Sequence, residues 1–144
     1  MSLIRPSAIA KRRLADLGLL ALRLFLGLAM MISHGIPKIE RFSGDPIQFA
    51  DPLGVGVFMS LLLAVFAEVV CSAALALGLL TRLVCIPLLF TMLMAAFVIH
   101  ADDPWNKKEF ALLYAVPYLT LMLTGPGQFS VDRLLFGKAS TGNR

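Results

Sequence analysis

Charged residues are scarce in this sequence and account for only 15% of its 144 residues. Hydrophobic residues make up 58%, which is more apolar surface than a soluble domain of this length can bury. The net charge is +4, but the basic residues lie at the ends of apolar runs rather than in a stripe with interleaved aromatics. The composition therefore argues against nucleic-acid binding and indicates that a lipid bilayer covers part of the chain.

Cysteine is also rare, and Cys71 and Cys85 lie in different apolar runs. Antiparallel helices would place the two thiols roughly 9 Å apart in depth, at about 1.5 Å of rise per residue, so we expect no disulfide. The chain has no HxxxH or CxxC spacing and no recognisable motif for haem, flavin or an iron–sulfur cluster. These patterns predict no metal site.

Four apolar runs are long enough, or nearly so, to cross a hydrocarbon core, which takes about 20 helical residues. They extend from about Leu17 to Ser33, Leu53 to Leu80, Leu83 to Ala101 and Phe110 to Thr124. The second run is too long for one perpendicular helix, so we expect it to tilt or to begin in the interface near Pro52 and Gly54. The fourth is short and contains Pro117, which leaves a buried helix as the alternative to a span. The sequence predicts an all-α fold, an integral membrane four-helix bundle.

The distribution of lysine and arginine predicts that both chain ends are inside (N-in/C-in). In that orientation eight basic residues lie inside, namely Arg5, Lys11, Arg12, Arg13, Arg82, Arg133, Lys138 and Arg144, and four lie outside, namely Lys38, Arg41, Lys107 and Lys108. We expect a basic cytoplasmic segment (1–16), a four-helix membrane domain (17–136) and a flexible cytoplasmic tail (137–144). The first run could instead be a signal peptide, but Arg23 interrupts it and three spanning runs would remain.

Arg23 and Glu68 are charged residues inside apolar runs, where a charge is costly and needs a partner. Their heights above the inner ends of the first two helices predict a buried ion pair between them. Small and polar residues on the same faces, among them Gly27, Ser72 and Ala76, predict that these faces meet. Three roles stay open: an ion pair that fixes helix register, a group that handles a proton or ligand, and an arginine that reaches the inner headgroups.

His34 and His100 each lie seventeen residues past the inner start of their apolar runs, so both are expected near the outer boundary. Lys38 and Glu109 are close to them in sequence or topology. We expect these four residues to converge on one polar pocket that serves a ligand or exchanges protons. Histidines that merely satisfy hydrogen bonds at the boundary are the alternative.

Tyr114 and Tyr118 are four residues apart on the predicted fourth helix and therefore share a face. Their hydroxyls could serve a quinone-like ligand, although membrane helices also use tyrosine for packing or at the interface.

The segment Gly125-Pro126-Gly127 predicts a helix stop at the inner face, because glycine tolerates positive φ and proline cannot continue a helix. Ser130 and Asp132 are expected to cap a short interfacial helix that begins near Arg133.

Several of these residues stand in segments that resemble one family. The segments are Arg23 with Gly27, His34-Gly35-Ile36-Pro37-Lys38-Ile39, Phe66-Ala67-Glu68, Leu77-Gly78-Leu79-Leu80-Thr81-Arg82, His100, Glu109 and Thr124-Gly125-Pro126-Gly127-Gln128-Phe129-Ser130-Val131-Asp132. From about Leu17 to Leu135 the chain resembles the DoxX family of small bacterial membrane proteins. The resemblance implies a four-helix fold in the bacterial inner membrane. Some members of that family are membrane subunits associated with thiosulfate–quinone oxidoreduction, others are linked to quinone or thiol stress, and most have no assigned activity.

Together these observations favour a small inner-membrane subunit of a quinone-linked redox system that binds a small ligand between its helices. A quinone is the candidate cofactor, a soluble or membrane oxidoreductase subunit is the candidate partner, and a homo-oligomer is a further candidate assembly. The alternative is a non-enzymatic transporter-like or scaffold protein. The sequence leaves open whether the chain is catalytic.

Overall fold

The computed structural model describes residues 8–137, and every regular element in this part of the chain is a helix, with no strand. The first helix comprises an α-helix Ala8–Met30, a π-helical segment Met31–Gly35, a short α turn Ile36–Ile39 and a 3-10 turn Glu40–Ser43. The second comprises α-helix Val57–Val65, π segment Phe66–Cys71 and α-helix Ser72–Leu77. The third is Thr81–Met94 followed by π segment Ala95–Ile99, the fourth is Trp105–Thr124, and the short fifth is Val131–Phe136.

The predicted all-α class is confirmed, and three helices are long and apolar enough to cross a membrane: Ile9–Ser43, Val57–Leu77 and Thr81–Ile99. The fourth helix has 20 residues, which reach about 30 Å at 1.5 Å per residue. Its first turns, however, carry Lys107, Lys108 and Glu109, which shortens its apolar stretch. A fourth span therefore stays a prediction.

The first helix is longer than its apolar run and continues past Gly35 and Pro37. Proline has no N–H to donate, and it lies at the start of the Ile36–Ile39 turn directly after the π segment, where a regular α-helical hydrogen bond is already interrupted. The second helix begins at Val57 rather than Leu53. Asp51 accepts hydrogen bonds from the Val55 N–H at 3.1 Å and from the Gly56 N–H at 2.8 Å, and it thereby holds the non-helical approach to that helix.

The first and second helices approach closely through the small residues predicted to face each other. A Cβ added to Gly27 would lie 2.6 Å from the Ser72 carbonyl oxygen and 2.9 Å from the Ala76 Cβ. Only glycine fits there, so this prediction is confirmed. Close backbone approach of this kind is how helices associate where lipid surrounds them.

The buried core runs between all four long helices and is mostly apolar. Its members are Leu26, Met30, Cys71, Leu75, Val84, Cys85, Leu88, Met92, Ala115, Tyr118 and Leu121. Both cysteines are free thiols, as expected. Large apolar side chains such as Phe25 and Leu123 (both 69% exposed) lie on the outer surface, where a bilayer would cover them.

The two ends of the bundle are built from different segments. One end, called the basic end, holds the start of the first helix, the turn between the second and third helices (78–80) and the fifth helix. The other, called the loop end, holds the connection 44–56 and the turn 100–104. The predicted flexible tail (137–144), except for its first residue, lies outside the described residues, as do residues 1–7 of the predicted N-terminal segment.

Candidate functional site

A cavity of about 570 Å³ lies between the second and third helices toward the loop end, under the 44–56 connection. Most of its wall is apolar, with Leu63, Phe66 and Phe90 contributing large side chains. Its polar lining residues are Lys38, Arg41, Ser60, Glu68, Thr91 and His100. The cavity therefore combines a long apolar surface with a set of convergent polar groups, as ligand sites do.

Lys38 and Glu68 form an ion pair in the wall of this cavity, in which the Lys38 ammonium donates a hydrogen bond to Glu68 Oε2. The Glu68 side chain is only 4% exposed and that of Lys38 is 20% exposed. The two residues meet because Gly35 brings the first helix against the second, where an added Cβ would lie 2.6 Å from the Glu68 carbonyl oxygen. Glu68 lies within a π segment and Lys38 in the turn directly after another, and such irregularities are often found at functional sites.

Arg23 does not pair with Glu68, so the ion pair expected from the sequence is wrong. The guanidinium is fully buried at the basic end, where Nη1 donates to the carbonyl oxygens of Ala76 at 3.2 Å and Leu75 at 3.4 Å. Its Nη2 donates to the carbonyl oxygen of Phe129. The last carbonyls of a helix carry partial negative charge and lack partners within the helix, so they suit a buried guanidinium. Arg23 closes the basic end and takes no part in the cavity.

Asp132 also lies at the basic end, but it caps the third helix, whereas the sequence predicted that it caps the short fifth helix. Its carboxylate accepts hydrogen bonds from the Leu80 N–H at 2.6 Å and the Thr81 N–H at 2.9 Å, which caps the third helix. Ser130 caps the fifth helix, as predicted, by accepting from the Arg133 N–H at 3.2 Å. The segment after the fourth helix, residues 125–136, therefore connects the other helices at the basic end, and we call it the clasp.

His34 is half-buried and packs on the fourth helix rather than lining the cavity. Its ring lies 5.7 Å from that of Phe110 and 5.8 Å from that of Tyr114, the latter in an edge-to-face arrangement. Tyr118 continues this column, with its ring 6.2 Å from Tyr114. The charges of Glu68 and Lys38 both act on His34, so it lies near the ion pair, although it does not line the cavity.

Tyr118 is fully buried, and its hydroxyl has no hydrogen-bond partner among the described residues. The Ser72 hydroxyl is in the same condition. Buried polar groups normally have partners, so these two hydroxyls are exceptions within the core. Tyr114 is half-buried, and like Tyr118 it does not line the cavity.

His100 ends the third helix and lines the cavity. Its Nδ1 lies 2.6 Å from Asp103 Oδ2, and Lys107 Nζ lies 3.6 Å from the same oxygen. The hydrogen bond with His100, together with the charges of Lys107 and His100, holds the pKa of Asp103 below its usual value. An ionised Asp103 orients the imidazole and leaves its Nε2 free for another partner.

Glu109 is exposed near the start of the fourth helix and does not line the cavity. Of the four residues expected to converge, the structure brings Lys38 and His100 to one cavity, places His34 beside it and leaves Glu109 outside. The sequence analysis did not include Glu68 in this group, although its charge inside an apolar run indicated that it could belong to a functional site. Among residues 8–137, no three His, Cys, Asp or Glu side chains lie close enough to hold a metal ion.

Long apolar helices, with a mostly apolar cavity between them that also has polar lining residues, identify a multi-pass helical membrane protein. The DoxX family model matches residues 18–101, and the chain belongs to the DoxX family. It is similar to inner membrane protein YqjF of Escherichia coli (strain K12), with 32% identity over 128 residues that cover 86% of this chain and 96% of that protein.

An uncharacterised protein of Haemophilus influenzae is 33% identical over 116 residues, which cover 76% of this chain and 84% of that protein. No solved structure matches the chain significantly. The predicted family and the predicted location in the bacterial inner membrane are confirmed.

Proposed function

We propose that this protein binds a lipid-soluble ligand with a polar head in the cavity between its second and third helices. The observation that carries the proposal is the cavity of about 570 Å³, with apolar walls and with the Lys38–Glu68 pair and His100 among its polar groups. Its volume lies within the range of roughly 300–1,000 Å³ that is usual for small-molecule sites.

We infer that the ligand enters the cavity from the bilayer. Three of its apolar lining residues are also on the outer surface: Leu63 is 46% exposed, Phe66 is 49% exposed and Phe90 is 50% exposed. A hydrophobic molecule dissolved in the membrane could pass between these side chains without crossing water. This favours a membrane-borne ligand over a water-soluble one.

The polar groups suit a ligand that carries carbonyl oxygens. The Lys38 ammonium has three hydrogens, and one of them is donated to Glu68. His100 Nδ1 donates to the ionised Asp103, so the Nε2 of a neutral His100 is an acceptor and suits the hydroxyl of a reduced quinone. Phe49, Phe66 and Phe90 line the cavity with aromatic surface that suits a flat ring. A quinone has these features, so we infer that the chain serves a quinone-linked redox system as a small membrane subunit whose electrons come from a partner oxidoreductase.

Quinone binding is tested on protein extracted in native-lipid particles. Mass spectrometry of the extracted lipid should detect a stoichiometric quinone, and a short-chain quinone should bind the delipidated protein. Ala64→Leu narrows the cavity and should weaken that binding about tenfold or more, since overfilling a packed site disturbs it by roughly 1–3 kcal/mol.

Ala73→Leu is the matched control, because Ala73 is similarly half-buried on the same helix and does not line the cavity. Equal binding by both variants, or no quinone in either measurement, would overturn the proposal and leave the transporter-like or scaffold role.

We also infer that the basic end faces the cytoplasm. Lys11, Arg12, Arg13, Arg82 and Arg133 all belong to that end, and basic residues in short segments beside spans stay on the cytoplasmic side. The cavity would then lie in the half of the membrane toward the periplasm.

A further inference from the structure

A second cavity, of about 500 Å³, opens at the basic end between the start of the first helix and the segment around the fifth. Arg12, Arg13 and Arg133 line it together with one carboxylate, that of Asp16. The arginines come from segments that lie more than a hundred residues apart in the sequence. Folding therefore concentrates positive charge at one place that no single segment provides.

The three guanidinium groups have no hydrogen-bond or ion-pair partner within the described part of the chain. All three arginines are exposed, and none of their side chains donates a hydrogen bond to, or forms an ion pair with, another group in residues 8–137. Asp16 offsets only one of the three positive charges, and its Oδ1 accepts a hydrogen bond from the Gln128 N–H at 3.0 Å. The pocket keeps a positive charge and free donors.

The clasp at the basic end fixes the position of Arg133 beside the first helix. The Asp132 N–H donates to the Gly78 carbonyl oxygen at 2.9 Å, and the Asp132 carboxylate caps the third helix. Arg23 holds the carbonyl of Phe129, which lines the pocket. The site is thus positioned by hydrogen bonds to the backbone and does not depend on the three arginines themselves.

Apolar side chains border the same pocket. Ile9 (70% exposed) and Phe129 (47% exposed) line it, and the fifth helix exposes Leu134, Leu135 and Phe136 at 83%, 63% and 64%. Side chains of this kind next to arginine are typical of a helix that lies in the headgroup region with its apolar face in the acyl chains.

We propose that this pocket binds the phosphodiester headgroup of an anionic membrane phospholipid through Arg12, Arg13 and Arg133. Guanidinium donors match phosphate oxygens in bidentate geometry, and the two positive charges that remain after Asp16 is counted attract the negative charge of a phosphodiester. The acyl chains would run beside Ile9 and Phe129. This inference does not depend on the ligand of the other cavity.

Native mass spectrometry of the full chain in detergent tests the site with three probes: phosphatidylglycerol, phosphatidylcholine and inorganic phosphate. We expect selective binding of phosphatidylglycerol. Arg13→Gln/Arg133→Gln should weaken it about 25-fold, from roughly fivefold for each arginine near an anionic surface. Lys107→Gln/Lys108→Gln removes the same charge at the loop end and should leave it unchanged.

Equal affinity for the two lipids would overturn the proposal, as would equal loss in the two variants. Displacement of phosphatidylglycerol by millimolar inorganic phosphate would show a site for a soluble anion and would also overturn it. The comparison of the two lipids uses the unmodified chain and needs no variant. If the double variant does not fold, Arg12→Gln alone replaces it and should lower the affinity for phosphatidylglycerol about fivefold.

Discussion

The Lys38–Glu68 pair predicts unequal effects of its two single substitutions. Lys38→Met strands a Glu68 carboxylate whose side chain is 4% exposed, and leaving one partner of a buried pair alone is expected to lower the free energy of unfolding by about 3–5 kcal/mol. Glu68→Gln leaves Lys38, which is 20% exposed and has a long flexible stem that can turn to the headgroups. That variant should lose about 1.5–3 kcal/mol, the usual worth of a hydrogen bond to a charged group.

The double variant Lys38→Met/Glu68→Leu separates the pair's own contribution from the penalty of a stranded charge. Replacement of a buried pair by apolar side chains is often neutral or stabilising. The free energy of unfolding of the double variant should therefore be no more than about 1 kcal/mol below that of the unmodified chain. Unfolding by sodium dodecyl sulfate in mixed micelles, followed by circular dichroism, measures all three free energies.

Lys107→Met is the matched control, because it breaks a pair of 3.6 Å whose side chains are 57% and 35% exposed. Exposed pairs contribute less than about 1 kcal/mol, so this variant should be almost unchanged. If Lys38→Met cost no more than Lys107→Met, Glu68 could not be a buried carboxylate that depends on Lys38, and the reasoning would be refuted.

Four further outcomes are expected. Gly27→Val should destabilise by about 1–3 kcal/mol in the same unfolding assay, whereas Gly18→Val, with nothing within 4 Å of its added Cβ, should be tolerated. Asp132→Ala should weaken the cap of the third helix by about 1 kcal/mol and speed hydrogen exchange at the Leu80 and Thr81 amides; unchanged exchange would contradict the clasp. The lowered pKa of Asp103 adds stability above the ordinary aspartate pKa, which is lost as pH falls through the lowered value, so Asp103→Asn should flatten the acid side of the stability–pH curve. Reporter fusions after Arg144 and within 102–108 should give cytoplasmic and periplasmic signals, and a periplasmic C-terminal signal would refute the inferred orientation.

The sequence was sufficient for the helical class because lipid-exposed helices leave long apolar runs that composition and length reveal. It also predicted the contact of the first two helices, since Gly27 and Ala76 are small residues at helical spacing and small residues mark close approach. The cap at Ser130 followed from local chemistry alone, because a serine before a short apolar segment is a common helix start.

The partners of the buried charges could not be found in the same way. The expected pair of Arg23 and Glu68 assumed that a buried arginine seeks a carboxylate, but backbone carbonyls at the end of the second helix were available at its own height. The first helix also ran on past Gly35 and Pro37, which carried Lys38 to Glu68. Periodicity does not reveal a π segment, so the register of Lys38 relative to Glu68 was beyond a count of residues.

The three π segments give the two ends of the bundle different characters. Glu68 lies in one of them, Lys38 lies in the turn directly after another, and His100 directly follows the third. All three residues line the same cavity at the loop end. The basic end has regular helices that are closed by Arg23 and Asp132 through hydrogen bonds to the backbone. An irregular helix is less stable than a regular one, and it persists where the displaced side chain has a use. The positions of these segments therefore indicate that the basic end stabilises the bundle, and they support a ligand-binding role for the loop end.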